Sequence, residues 1–415
     1  MRIPVTKNLL SSLREHLRQP NAQRTYTTVI RASHKSLPPA RNHLSNHHVN
    51  RTRLKQQAAP FTTGTMPQGT LIKPPPEDPN KSPIENVLEV TELAVIGPNI
   101  FTNTRQPWHP PGARGIYGGA VIAMCLSSAQ HTVAEDFNVH SCHCYFLLAG
   151  NPDIPILFHV ELVRDGRSFA TRTVQARQRG RCIFTVTISF VRAGSSGSPE
   201  SQVRHAQPMP TNPDGSPLVP PPDDFDAEPE LAGLGPFQNF RIDITNRDSE
   251  NAHEKKTRQW LRARGKITGG QRAHLNALAY MSDSYFIGTI SRIHRLWRFP
   301  FPVKDMDKLP PEMAEHVRLL NDWEGMGLDE SAFKDRPEIG MMVSLDHTIY
   351  FHEPSRVKAD EWMFTEMESP WAGDGRGLVM QKIFAKDGTL LATCVQEGLV
   401  RLKDKGSGGE KESKL

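Results

Sequence analysis

The feature that most constrains this chain is an internal duplication. Gly118-Gly119 opens a stretch in which Ile122, Cys125, Leu126 and Ala129 recur at i, i+3, i+4 and i+7. Gly269-Gly270 opens another, in which Leu275, Leu278, Ala279 and Ser282 fall at the same spacing. That period puts each set on one face of an α-helix. After each helix comes a run of strand-like segments, at 139–148, 156–163, 168–177 and 182–191 in the first copy and at 341–352, 361–367, 377–384 and 389–399 in the second. Turn residues punctuate both runs: Asp165-Gly166 and Arg179-Gly180, then Gly373-Asp-Gly-Arg-Gly377 and Asp387-Gly388. A helix followed by a mostly antiparallel sheet, repeated, defines an α+β duplication. The helices match at an offset of 153 (Ile122 against Leu275) and the first strands at 203 (Ser141 against Ser344). The difference is an insertion around 285–340, which holds a helical-looking 310–320 and the basic aromatic run Arg292-Ile-His-Arg-Leu-Trp-Arg298.

At 415 residues the chain has room for both copies and for tails. Residues 1–84 read as an N-terminal extension and linker, 85–193 as the first unit, 194–234 as a Pro-rich linker, 235–404 as the second unit, and 405–415 as a flexible tail. The net charge of +5 averages unlike parts. Residues 1–65 carry eleven bases and one acid, whereas the remainder carries 39 bases and 44 acids. A mildly acidic body argues against a nucleic-acid-binding core, which would itself hold the basic patch. The basic leader has the Arg- and Ser-rich, acid-poor composition of a transit peptide, with an amphipathic start in Leu9, Leu10, Leu13 and Leu17. A structureless leader, or an initiator at Met66, accounts for it equally well. No apolar run approaches the roughly 18 to 20 residues that span a bilayer, so a soluble protein is expected. The five cysteines (Cys125, Cys142, Cys144, Cys182, Cys394) are odd in number and scattered, which suits an intracellular protein better than a disulfide framework.

Several chemistries find no support. There is no G-x-S-x-G elbow, no Walker A sequence and no H-E-x-x-H. Gly373-x-Gly-x-Gly377 sits between strands without a βαβ unit and reads as a hairpin turn. His140-Ser-Cys-His-Cys144 gathers ligand-type residues, but on a strand His140, Cys142 and Cys144 face one way and His143 the other. A structural role is favoured there, and no metal or organic cofactor is expected. The informative cluster is elsewhere. Asp283 follows the apolar face of the second helix, Ser344 interrupts an apolar strand, and Gln396 interrupts another. A carboxylate, a hydroxyl and an amide converging on a pocket can hold and deprotonate one water. In the bland alternative Asp283 ends its helix, Ser344 fills space and Gln396 pairs with backbone. Spacing does not separate the two.

The strings Trp260-Leu-Arg-Ala-Arg-Gly-Lys266, Leu278-Ala-Tyr-Met-Ser-Asp283, Ser344-Leu-Asp-His-Thr-Ile-Tyr-Phe-His352, Glu366-Met-Glu-Ser-Pro-Trp-Ala-Gly373 and Val395-Gln-Glu-Gly398 together resemble the acyl-CoA thioesterase II family. In the first copy Tyr117-Gly-Gly, Val139-His-Ser, Tyr145-Phe-Leu and Arg164-Asp-Gly-Arg-Ser-Phe169 resemble it too, so the likeness covers roughly residues 85–405. The resemblance implies a double hotdog, each half a long helix wrapped by an antiparallel sheet. It implies hydrolysis of acyl-CoA, with Asp283, Ser344 and Gln396 as the catalytic trio. Read as a motif, the final Ser413-Lys414-Leu415 is a peroxisomal address for an import receptor, with residues 1–65 a rival mitochondrial one. Homo-oligomerisation stays open. Two other classes remain: a hydratase acting on enoyl-CoA, for which His274 with Asp283 would be the His/Asp pair, and a non-catalytic acyl-CoA-binding protein.

Overall fold

The computed structural model describes residues 74–109, 115–226, 235–299, 301–323 and 335–403. The basic leader and the tail bearing Ser413, Lys414 and Leu415 lie outside these. In the first half, α1 (Pro83–Leu88), β1 (Val90–Glu92) and β2 (Ile100–Asn103) precede α2 (Gly118–Gln130). β3 (Phe137–Phe146), β4 (Leu157–Asp165), β5 (Phe169–Gln178) and β6 (Arg181–Arg192) follow it. In the second half β7 (Phe237–Thr245) and β8 (Lys256–Ala263) precede α3 (Gly270–Met281). Then come α4 (Gly288–Ile293), α5 (Pro311–Trp323) and the strands β9 (Ile339–Ser344), β10 (Asp346–Phe351), β11 (Met363–Gly373), β12 (Arg376–Ala385) and β13 (Leu390–Leu402).

Among the described residues the strands form one antiparallel sheet in the order β1-β2-β4-β5-β6-β3-β10-β13-β12-β11-β8-β7, with β9 pairing β13 off this path. The halves join where β10 pairs β3, from Asp346 opposite Tyr145 to Tyr350 opposite Ser141. The sheet wraps α2 and α3, which pack on each other. This is the double hotdog arrangement. Helix α2 is buried on nearly every face, from Gly119 to Gln130, because sheet covers one side and α3 the other. Each of its fully buried Ile, Leu and Met side chains contributes about 1.5–3 kcal/mol. Among the described residues no helix is long and apolar enough to cross a membrane.

The structure departs from the sequence reading at several points. The segment 341–352 is two strands, broken at Leu345. There the Leu345 N–H donates to the Glu397 carbonyl (2.9 Å) and the Phe146 N–H donates to the Leu345 carbonyl (2.9 Å). The Asp346 carboxylate takes the Glu397 N–H at 2.7 Å, so a side chain replaces a ladder partner at the break. β9 therefore pairs the far end of β13 and β10 its middle. The strands before each helix (β1 and β2, β7 and β8) have no counterpart in the sequence reading. A β-bulge between Val139 and Ser141 also turns His140 off the face of Cys142 and Cys144. His140 bonds Ser189 (2.8 Å), while both cysteines are buried in the core. Among the described residues no cluster of His, Cys, Asp and Glu is placed to hold a metal ion.

Residues 195–226 have almost no regular structure, yet they pack on the outer face of the second half. Leu218 joins Trp260, Trp362, Phe364 and Phe384 in an apolar cluster. Arg258 donates to the Thr211 carbonyl at 3.0 Å, and Arg264 pairs with Asp226 at 2.7 Å. The insertion builds a small core of its own from Trp297, Val303, Met306, Ala314 and Val317.

Candidate active site

α2 and α3 run antiparallel, so the start of each lies beside the end of the other. Tyr117 donates to the Tyr280 carbonyl at 3.0 Å, and Arg272 donates to the Gln130 carbonyl at 2.7 Å. The approach is close enough to require glycine. A Cβ on Gly119 would overlap the Tyr280 carbonyl oxygen, and one on Gly118 would come within 2.7 Å of the Asp283 carboxylate. The Gly-Gly pair that opens α2 thus lets the carboxylate dock on the helix start.

Asp283 lies two residues beyond α3. Its Oδ2 accepts the Gly119 N–H at 2.9 Å, at the positive end of α2. Its Oδ1 accepts from Gln396 Nε2 at 2.8 Å, across 113 residues of sequence. The same Gln396 nitrogen donates to His347 Nδ1 at 3.0 Å. His347 Nε2 lies 3.0 Å from the Ser282 hydroxyl, which donates to the Ala279 carbonyl at 2.9 Å. The network fixes the tautomer. With Nδ1 accepting and the Ser282 proton committed to Ala279, His347 carries its proton on Nε2. Burial pushes the His347 pKa down to about 3, so the ring is neutral.

That neutrality matters for Asp283. The His347 ring stands 4.0 Å from the carboxylate but brings no charge. Desolvation raises the Asp283 pKa to about 6 against the lowering effect of the Gln396 and Gly119 bonds. The group is ionised at neutral pH and basic for a carboxylate. Both hydrogens of the Gln396 amide are committed, one to Asp283 and one to His347. Its Oε1 is buried with no partner among the described residues. An acceptor therefore stands open beside a carboxylate of raised pKa.

Of the three residues picked from sequence, Asp283 and Gln396 are in direct contact. Ser344 stands opposite Gly398 at the end of β9, two residues along β13 from Gln396, so register puts it on the same sheet face. Among the described residues its hydroxyl bonds neither of the others. The structure adds His347, Ser282 and Gly119, which the sequence reading did not single out. A histidine within the apolar alternation of β10 was the one local sign of the first. His274 accepts the Ala359 N–H at 3.1 Å and lies near Asp360, at the opposite end of α3 from Asp283. It forms no pair with Asp283.

A cavity of about 330 Å³ opens at Asp283, lined by Tyr285, Phe286, Ile287, Phe299 and Met342, with Arg292 and Arg298 among its polar groups. All of these but Met342 lie in the insertion. Tyr285 holds a positive φ of 57° that turns the chain away from α3, and the Arg241 and Arg292 guanidinium groups lie over its ring at 4.4 and 4.8 Å.

Residues 104–191 match the family described as acyl-CoA thioesterase N-terminal domain, and residues 213–400 the acyl-CoA thioesterase C-terminal domain. The chain is similar to acyl-coenzyme A thioesterase 8 of Mus musculus, with 34% identity over 352 residues that cover 79% of this chain and 92% of that protein. It is similar to the peroxisomal acyl-coenzyme A thioester hydrolase 1 of Saccharomyces cerevisiae, at 25% identity over 377 residues, covering 77% and 96%. Among solved structures it resembles an acyl-CoA thioesterase II from Mycobacterium marinum, at 28% identity and a TM-score of 0.52, covering 79% of this chain and 99% of that one.

Proposed function

This chain belongs to the acyl-CoA thioesterase family and is a hydrolase of acyl-CoA thioesters; from that premise we propose that Asp283 is its general base, acting on a water held also by Gln396 and Ser344. The observation that carries this reading is the ionised, cation-free carboxylate of Asp283, with a pKa near 6, fixed by the amide whose oxygen is left open. A base of that strength is mostly ionised at neutral pH yet strong enough to take a proton. The water attacks the thioester carbonyl carbon while its proton passes to Asp283. The oxyanion forms near the positive end of α2, the carbon–sulfur bond breaks, and CoA leaves as thiolate to be protonated. Fatty acid and CoA are the products. His347 touches neither the water nor the carbonyl in this scheme. It orients Gln396, fixing which end of the amide meets Asp283.

The acyl chain fits the apolar wall of Phe286, Ile287, Phe299 and Met342. The test is release of CoA from palmitoyl-CoA, followed with a thiol reagent. Asp283→Asn is expected to lose roughly 10²-fold or more in kcat, the worth of a general base. Near-normal turnover by a folded Asp283→Asn would refute the scheme. A hydratase or a binding protein would release no CoA even as wild type.

We also infer a peroxisomal location, supported by the terminal Ser413-Lys414-Leu415 and by the yeast relative's description. An N-terminally tagged protein lacking those three residues should move to the cytosol. Retained peroxisomal signal would count against the tripeptide, and mitochondrial signal in the intact chain would favour residues 1–65 as the address.

A further inference from the structure

The concave face of the second half carries polar side chains where a core is ordinarily apolar. Gln396 on β13 stands opposite Val379 on β12, and Gln381 is two residues along β12. Gln381 stands opposite Met367 on β11, and Thr365 is two residues along β11. Thr365 in turn stands opposite Gln259 on β8. Opposed residues share a face of a sheet, and so do alternate residues of one strand. All four side chains therefore point to the same side, as a diagonal stripe across four neighbouring strands. Three inter-strand spacings make it about 14 Å wide.

These groups are deeply buried: Gln259 is 3% exposed and Thr365, Gln381 and Gln396 are 0% exposed. Each nonetheless has a polar atom with no partner among the described residues, namely Gln396 Oε1, Gln381 Oε1 and Nε2, Thr365 Oγ1 and Gln259 Nε2. A buried polar atom left unsatisfied costs about 1–3 kcal/mol. Five such atoms along one line exceed what chance placement in a core would tolerate, and they mix donors with acceptors. An acyl chain would satisfy none of them. Water, which both donates and accepts, satisfies all of them and is the usual partner of such groups.

The ends of the stripe give it a direction. At one end Gln396 holds Asp283 through its nitrogen and keeps a buried oxygen with no partner among the described residues. At the other, Gln259 lines a small cavity of about 30 Å³ together with Arg241, Thr257, Tyr285 and Arg292, enough for one or two waters. That cavity shares Tyr285 and Arg292 with the one at Asp283 but does not include Asp283 itself, and acyl-CoA would close the mouth of the latter. Each turnover consumes one water, its oxygen ending in the carboxylic acid and its protons shared between acid and thiol. With the mouth closed, a second source of water is useful.

We propose that Gln259, Thr365, Gln381 and Gln396 hold a file of buried water that supplies the hydrolytic water to the Asp283 site along the inner face of the sheet and not through the mouth that the substrate closes. This rests on the reading of Asp283 and Gln396 as the groups that hold that water. Thr365→Val and Gln381→Met remove the polar atoms at near-constant volume. Each should lower kcat about tenfold at unchanged KM with palmitoyl-CoA, and neither should lower the melting temperature. Thr365→Ser should restore the rate, since it returns only the hydroxyl. A crystal structure of the whole chain should show ordered water between Gln381 and Thr365. If both apolar variants turn over within twofold of wild type, or the side chains pair directly with no water between them, the file does not exist. A dead Asp283→Asn beside unaffected Thr365→Val and Gln381→Met would sink the file alone. An active Asp283→Asn would sink the underlying site reading instead.

Discussion

Replacing Asp283 by Asn should stabilise the protein, and by an amount that depends on pH. The carboxyl has a folded-state pKa of about 6 against an ordinary 3.8, with desolvation the largest cause. A raised folded pKa means that the native state prefers the protonated acid. Its stabilising share is fully present below pH 3.8 and is lost as pH rises through about 6. The gap is about 2 units, and at 1.36 kcal/mol per unit it amounts to about 3 kcal/mol. Asn at this position has no charge to desolvate, so it escapes that loss. About 0.5 kcal/mol of this is already lost at pH 4, so the stability of the variant minus that of wild type should grow by about 2.5 kcal/mol between pH 4 and pH 7.5. Taking the difference removes titrations common to both proteins. The neutral, buried His347 is the main one, since its pKa of about 3 costs native stability below pH 6.5 in either protein.

Urea unfolding at several pH values, followed by tryptophan fluorescence, measures the difference directly from midpoints at equal m. A flat difference would mean that the native site hydrates the carboxylate and that its burial is not what tunes it. A difference of opposite sign would mean that the Gly119 and Gln396 bonds outweigh desolvation. Asp283 would then be an ordinary salt-range acid, and its case as a base would lose its physical footing. Stability gained where activity is lost marks a site that holds strain for function.

Two further outcomes follow from the same geometry. In the proposed scheme the ionised form of Asp283 is the base, so kcat/KM should fall about tenfold per pH unit below 6 and level off above it; a plateau that persists to pH 4.5 would exclude Asp283 as the titrating group. Gln130→Ala, at the first-half counterpart of Asp283, should keep kcat within about twofold of wild type, because an amide cannot take the water's proton; a severe loss in a stably folded Gln130→Ala, measured by CoA release, would show that the first half takes part in chemistry.

The parts of this fold that were legible in sequence are those whose side-chain period survives in the structure. α2 and α3 show their helical spacing, and β3 to β6 show alternation within two residues of their observed ends. β7 and β8 did not read as strands because their inward positions carry Asn239, Thr257 and Gln259, all buried. The alternation that marks a strand is apolar against polar, and polar residues on the inside erase it. The break at Leu345 was invisible for the opposite reason. It lies in a continuous strand-like stretch with no turn residue at the break, and what breaks the strand is the Asp346 side chain reaching a backbone N–H on β13. Asp283 and Gln396 could be picked as polar interruptions of apolar elements, but their contact spans 113 residues and only the closed sheet makes it. His347 acts through two contacts, to β13 and to the end of α3, neither of which leaves a local trace.

The two halves meet the same local problem with opposite electrostatics, which bears on why one of them should be silent. Each central helix starts beside the end of the other, and each start has backbone N–H groups that need an acceptor. At α2 that acceptor is Asp283, carried by the partner helix. At α3 it is Glu85, carried by α1, which takes the Gly269 N–H at 2.6 Å and the Thr268 N–H at 3.2 Å. Burial alone would raise the Glu85 pKa, but bonds from Ser82, Thr268 and Gly269 hold it below its usual value. Asp283, with two donors and deeper burial, is pushed the other way. Glu85 is thus a fixed anion and a weak base, occupying the place where an oxyanion would need those N–H donors. The residue of the first half that matches Asp283 is Gln130, whose carbonyl is bound by Arg272 as a helix end. Duplication kept the scaffold of two wrapped helices. Desolvation without a counter-charge, at one helix end only, is what separates a base from a cap.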